Sequence, residues 1–306
     1  MNGKILIFPN TPWERDALAA VFSNGRATPN LPGYVFPPVA ATAATVNIPG
    51  RDGLPNYTAT AKLTYDQVEV WCVYDLLPTD PVTKKKIVTT EGKAYALSVL
   101  SQARGNASVL VAFGTSAFAD QQSYDGCVIV GSNYFNYSPF TAADNIPGFW
   151  DSPSLGQFIE NSGQTINQQV FAALKDPLRL QIESRFLRPP VDSAETPYLI
   201  VSPGYTAISD VNVANGDDYA WADRQALAEF AAAQPRKVVG SVETTHGVIA
   251  ESVAHDQFLF FSAIADRLGY FNMEAAPRNY AQDFAVAHNA AVALAWLLPT
   301  LISVAP

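Results

Sequence analysis

At 306 residues, with 48% hydrophobic and only 15% charged side chains, the chain has the composition of a well-buried globular protein and not of a disordered one. Its net charge of −9 excludes a general nucleic-acid binder, because neutralising phosphates needs a basic surface. No uninterrupted apolar run approaches the ~18 residues of a membrane span, and the opening MNGKILIFPNTPWERD lacks the pattern of a secretory signal, so a cytoplasmic location and no membrane partner are expected.

In chain order, Lys4–Phe8 (KILIF) predicts a first buried strand. Asn10 or Thr11 then caps a helix with Pro12 at its first position and Glu14 in its first turn. Trp13, Ala17, Leu18 and Val21 give that helix an apolar face, and strand–turn–helix is the usual opening of a doubly wound α/β fold. Asn24–Asn56 is punctuated by six prolines and predicts a long loop, insertion or lid. Tyr57–Tyr65 and Gln67–Tyr74 alternate polar and apolar residues about Asp66 and predict a hairpin. Leu76–Lys86 is polar and ends in three lysines, a solvated surface. Ala94, Leu97, Leu100 and Ala103 then recur at helical spacing.

Ser108–Phe113 predicts another buried strand, with a tight turn at Gly114 whose amides face an anion or a sugar oxygen. Cys127–Val130 is a short strand, and Tyr134, Phe135, Tyr137 and Phe140 follow in an aromatic-rich loop that either walls a planar-ring pocket or packs beneath it. Cys72 and Cys127 lie in apolar runs without metal spacing, which predicts buried reduced thiols. Asn161–Leu174 predicts a helix, Tyr198–Val201 a strand and Tyr219 to Ala233 a helix capped by Asp217 or Asp218.

The stretch that organises the rest runs from Lys237 to Arg267. Val238–Val242 is a β-branched run, Thr244 and Thr245 offer hydroxyls where a helix starts, and Phe258–Ile264 is a second buried strand. Glu243 and Asp266 thus end what read as two neighbouring strands, where ligands bind in open α/β sheets. His246 and His255 fall on one short helix. A closing helix over Tyr280–Leu298, containing His288, ends at Pro299. The three histidines lack metal spacing, so no metal is expected.

These segments resemble the nucleoside phosphorylase and nucleosidase superfamily. VETTHGVIA followed by FSAIAD is similar to the family's V-E-M-E-x-x-x-I-A and R-x-I-S-D, with Glu243 on the first Glu and Asp266 on the catalytic Asp. The second family Glu, which grips ribose hydroxyls, falls on Thr245, beside His246. The Ser before the catalytic Asp is Ala265. Gly114, Thr115 and Ser116 match the family's G-S-A at the sugar, Gly92 and Lys93 match its G-K helix, Gly216, Asp217 and Tyr219 match G-D-x-F, and Glu14 matches the Glu that serves the attacking water.

The resemblance implies one α/β domain over residues 1–306, a mixed central sheet with helices on both faces, loop insertions at 24–56 and 141–161, and a homo-oligomer. It implies cleavage of the N-glycosidic bond of a purine nucleoside or related N-riboside, with Asp266 as general acid, Glu14 as general base and Tyr219 stacked on the base. The family's phosphate-binding Arg has no match before Gly114, which favours water; phosphate is the one co-substrate that the resemblance allows, and no cofactor is implied. Thr245 and Ala265 keep a second reading open, a non-catalytic nucleoside- or base-binding or storage protein.

Overall fold

The computed structural model describes residues 4–23, 44–65, 67–118, 124–189, 196–213 and 218–305. The first half of the chain forms β1 (Ile5–Pro9), α1 (Pro12–Phe22), β2 (Thr45–Ile48), β3 (Tyr57–Thr60), β4 (Leu63–Tyr65), β5 (Val68–Val70), α2 (Val73–Leu76), α3 (Thr90–Arg104), β6 (Val109–Ala117), β7 (Val128–Gly131) and β8 (Asn133–Tyr137). The second half forms β9 (Phe158–Ile159), α4 (Thr165–Ala173), α5 (Leu178–Glu183), β10 (Leu199–Val201), β11 (Tyr205–Asp210), α6 (Tyr219–Ala233), β12 (Val238–Glu243), α7 (His246–Ser252), β13 (Phe258–Asp266), α8 (Phe271–Glu274) and α9 (Tyr280–Val304).

Among the described residues, β2 and β3 pair by themselves and the other eleven strands form one mixed sheet. Its main path runs β10-β7-β13-β6-β12-β11-β8-β9, with β1, β5 and β4 branching from β6. β13 is parallel to β6 and antiparallel to β7. All nine residues of β13 are buried, because layers cover both faces of the sheet. Successive side chains alternate between those layers. Leu259, Phe261, Ala263 and Ala265 join Ile5, Ile7, Val109 and Val111 under α1, α4 and α9. Phe258, Phe260 and Ile264 join Leu6, Phe8 and Leu110 under α3 and α7.

β6 forks. Pro9, the last residue of β1, lies opposite Phe113, so β6 continues without that neighbour until Ala117 meets Val242 of β12. The gap beside Gly114–Ser116 receives the first turn of α1. On the other side of β6, a bulge between Ile264 and Asp266 leaves Ala265 outside the register. Bulges bend a strand and re-aim the side chain that follows.

Several expectations need correction. Glu243 and Asp266 do not end neighbouring strands: β6 lies between β12 and β13. Gly114 makes no tight turn, since β6 runs straight through it. The aromatic segment after Cys127–Val130 is not a loop but β8, with Tyr134 and Phe135 in the core. The hairpin about Asp66 is confined to β4 and β5, because β3 pairs with β2 inside the supposed 24–56 loop; residues 24–43 lie outside the described residues. α7 ends at Ser252, so His255 is not on it and instead bridges Ala107. Neither α8, between β13 and α9, nor β11 was anticipated.

α9 does not stop at Pro299 but continues to Val304, where Leu301 is fully buried against the core. Burying such a side chain is worth about 1.5–3 kcal/mol, comparable with the ~3 kcal/mol cost of an internal proline. Its Tyr280–Ser303 stretch reaches a mean hydropathy of 1.6 and is long and apolar enough to cross a membrane, yet 67% of the window is buried inside the protein. It is the core helix under β13.

Candidate functional site

The carboxyl ends of β1, β6, β12 and β13 open on a cavity of about 560 Å³, a size usual for a small-molecule site. α1 brings Glu14 into it. Glu14 Oε2 accepts from the backbone N–H of Asn10 and of Thr11, each at 2.8 Å, as in a capping box. Its Oε1 accepts from Thr115 N at 2.7 Å and Thr115 Oγ1 at 2.9 Å. The carboxylate thus completes the ladder of β6 where β1 has ended. Burial raises its pKa above the usual carboxylate range, against the pull of the Thr11 and Thr115 hydrogen bonds and of His246. Gly114 is glycine for lack of room: a Cβ there would lie 3.0 Å from His246 Nε2 and 3.2 Å from Glu14 Oε1.

Glu243 ends β12 and lines the same cavity. Its Oε1 accepts from Ser209 Oγ at 2.5 Å, and its Oε2 accepts from His246 N at 2.8 Å and from Thr245 N. Lys93, buried on α3, also lines the cavity and donates to Thr245 Oγ1 at 3.1 Å. Burial lowers the Lys93 pKa, while Glu243, Asp210 and Glu14 oppose that shift.

Asp266 lies on the other side of β6. It is 3% exposed, and its Oδ2 has no hydrogen-bond partner among the described residues. Burial, and then Asp223, lift its pKa well above the normal range. Asp223 on α6 lines the cavity as well and is pushed up to about 7, chiefly by burial. Asp210, at the end of β11, is raised by burial and by Asp223 and Glu243. Tyr219 and Phe271 present rings 5.0 Å apart to the same region. Arg278 is paired with Asp125 at 3.2 Å.

One side of β6 therefore offers Glu14, Thr115, Lys93 and Glu243, a polar wall. Asp266 from the β13 side, with Asp223 and Tyr219 of α6 and Phe271 of α8, adds two buried carboxyls and two aromatic rings. Solved structures with the same arrangement of elements include the 5′-methylthioadenosine/S-adenosylhomocysteine nucleosidase of Campylobacter jejuni, at 13% identity and a TM-score of 0.52, covering 99% of this chain and 100% of that one. The nucleosidase of Colwellia psychrerythraea, solved with adenine, matches at 12% identity and a TM-score of 0.53, with 98% and 96% covered. The chain has the nucleosidase fold. The futalosine hydrolase of Helicobacter pylori shares it, at 12% identity, a TM-score of 0.53 and 99% and 98% coverage. At such identity the likeness is one of fold. No protein-family model and no curated protein sequence matches the chain.

Within this nucleosidase fold, Glu14, Thr115, Ser116, Tyr219, Glu243 and Asp266 line the cavity. Gly114, Thr245 and His246 stand behind the wall. Thr245 is fully buried under Lys93, and the His246 ring is stacked on Phe260 with Nδ1 3.3 Å from Ser262 Oγ. Asp217 lies outside the described residues. The aromatics of β8 contribute nothing to the lining. Sequence reading missed Lys93, Asp223, Phe271 and Arg278 as lining residues. A lysine at the start of an amphipathic helix reads as surface, and only the packing of α3 against α7 turns it inward.

Proposed function

We propose that the chain hydrolyses the N-glycosidic bond of a purine nucleoside or a related N-glycoside. The observation that carries this reading is Asp266, a buried carboxyl with an unpartnered oxygen that shares one cavity with Glu14 and with the Tyr219–Phe271 rings. A purine anion leaves poorly, so cleavage needs a proton donor at the base, and a carboxyl that burial keeps protonated supplies it. Asp266 gives its proton to a ring nitrogen as the bond to the anomeric carbon breaks toward the base. The sugar passes through an oxocarbenium-like state, as in glycoside hydrolysis.

Water then adds to the anomeric carbon and its proton passes to Glu14. All four acceptor positions of Glu14 are filled, and the Thr115 hydroxyl is the one donor of the four that can rotate away. Thr115 turns to the water as Glu14 takes the proton. The raised pKa strengthens Glu14 as a base. Proton exchange with solvent resets both groups.

Water is favoured over phosphate because a dianion would meet like charge: Lys93 sits among Glu243, Asp210 and Glu14, and Arg278 already pairs with Asp125. The relatives of this fold that act on 5′-methylthioadenosine, or that bind adenine, support a purine at the aromatic side. The two buried cysteines, Cys72 and Cys127, form no disulfide, which supports a cytoplasmic setting. A nucleoside- or base-binding protein without turnover is the second reading, favoured by the saturation of Glu14.

The test is base release from a panel of purine and pyrimidine nucleosides, with and without phosphate, followed by chromatography. Release without phosphate is expected, and Asp266→Asn is expected to abolish it while the thermal melt stays cooperative. Full activity in that variant would remove Asp266 from the acid role. Adenine binding with no release from any nucleoside would favour the binder.

A further inference from the structure

The donors and acceptors on the polar side of the cavity are not balanced for a diol. A sugar hydroxyl must donate its hydrogen as well as accept one, so two vicinal hydroxyls need two acceptors beside them. A carboxylate offers about four acceptor positions. Glu14 has all four occupied, by Asn10 N, Thr11 N, Thr115 N and Thr115 Oγ1. Glu243 has three occupied, by Ser209 Oγ, Thr245 N and His246 N. One carboxylate position is therefore left on the sugar side once the Thr115 hydroxyl serves the water.

Donors, by contrast, are in surplus. Lys93 carries three N–H groups and gives one to Thr245 Oγ1; the others find no partner among the described residues. Ser116 Oγ, also on the lining, has no partner among the described residues. Thr244 Oγ1 is 3.1 Å from Thr245 Oγ1. This wall satisfies one hydroxyl well: the oxygen accepts from Lys93 and the hydrogen goes to Glu243. A second hydroxyl finds only neutral hydroxyl oxygens in place of a charged acceptor.

Reaction energetics point the same way. An oxocarbenium ion forms more readily when the neighbouring carbon bears hydrogen in place of an electron-withdrawing hydroxyl. This wall puts an ammonium, Lys93, beside the developing cation, and its nearest carboxylates are already held by backbone N–H groups. A sugar whose cation needs less help suits such a site.

We propose that the sugar subsite built by Lys93 and Glu243, with Thr245 behind them, selects a sugar with one ring hydroxyl in place of the vicinal diol, the 2′-deoxyriboside class. The proposal rests on the nucleosidase reading for the sugar's position, and on the donor–acceptor count for its identity. A hydrogen bond to a neutral hydroxyl oxygen is weaker than one to a carboxylate, so discrimination of about tenfold in favour of the 2′-deoxyriboside is expected.

The experiment compares 2′-deoxyadenosine with adenosine, by kcat/KM in the native protein and by calorimetric titration of the Asp266→Asn variant. A preference of about tenfold for the deoxy compound supports the proposal, and parity or a preference for adenosine overturns it. Release from neither compound counts against the nucleosidase reading, and the titration then decides the subsite. Tighter binding of 2′-deoxyadenosine sustains the proposal, whereas equal binding or none refutes it. Thr245→Glu returns a second carboxylate to the wall and should move the ratio toward adenosine by about tenfold; Thr245→Gln serves if the melt shows that Thr245→Glu does not fold. An unmoved ratio in a folded variant would rule out this wall as the selector.

Discussion

Three buried aspartates, Asp210, Asp223 and Asp266, have their pKa values raised because taking a carboxylate out of water without enough donors disfavours its charged form. For Asp223 the folded-state pKa is about 7, against ~3.9 in an unfolded chain. Between those values the folded state binds a proton that the unfolded state has released. The resulting stability is complete below about pH 4 and is lost as pH rises through about 7, a fall of a few kcal/mol in all. Asp223→Asn should flatten the decline of the melting temperature between about pH 4.5 and 7.5, though not abolish it, since Asp266 and Asp210 titrate in the same sense. Melting curves across that range decide it, and an unchanged slope would mean that Asp223 ionises normally in the fold. Of these three, only Asp266 was legible in the sequence, as a carboxylate just past a buried apolar strand. Asp223 is one acidic residue on an amphipathic helix, and nothing in its spacing shows that α6 turns it onto the cavity.

β13 shows how much of an element is legible and where legibility stops. Its run of apolar residues predicted a strand buried on both faces, and the side chains alternate between two helical layers. Phe261, fully buried beneath α9, fills the space that helix leaves. Phe261→Ala should cost about 3–5 kcal/mol, read as a loss in a denaturant titration; a cost below about 1 kcal/mol would mean that α9 is not held there by packing. The bulge at Ala265 that re-aims Asp266 leaves no mark in the sequence, because it depends on how far β6 runs beside it. For the same reason Gly114 read as a turn: glycine signals a missing side chain, and only the fork between β1 and β12 shows that the missing volume belongs to Glu14 and His246. Pro299 read as a helix stop, but tertiary burial of Leu301 outweighs the local penalty. β11 was missed because YTAISD follows Pro203-Gly204 and is too weakly apolar to stand out, yet it pairs on both edges with β8 and β12.

At the scale of the molecule, the cavity gathers residues from Asn10 to Asp283, so it exists only when the sheet and α9 are assembled. The fork in β6 is where that dependence is sharpest. Glu14 there serves as a piece of backbone: its two oxygens receive three main-chain N–H groups and one hydroxyl that no strand reaches. This undoes the usual logic of the isosteric probe. Replacing a carboxylate by its amide is meant to remove charge and leave shape and stability alone. At Glu14 the amide nitrogen would point N–H at N–H, stranding at least one buried donor at a cost of about 1–3 kcal/mol. Glu14→Gln should therefore lower the melting temperature and turnover together, and a variant that lost turnover with its melting temperature intact would mean that the carboxylate is not completing the sheet. If Glu14 takes the water's proton as proposed, chemistry and architecture fall to one side chain, and neither can be varied there without disturbing the other.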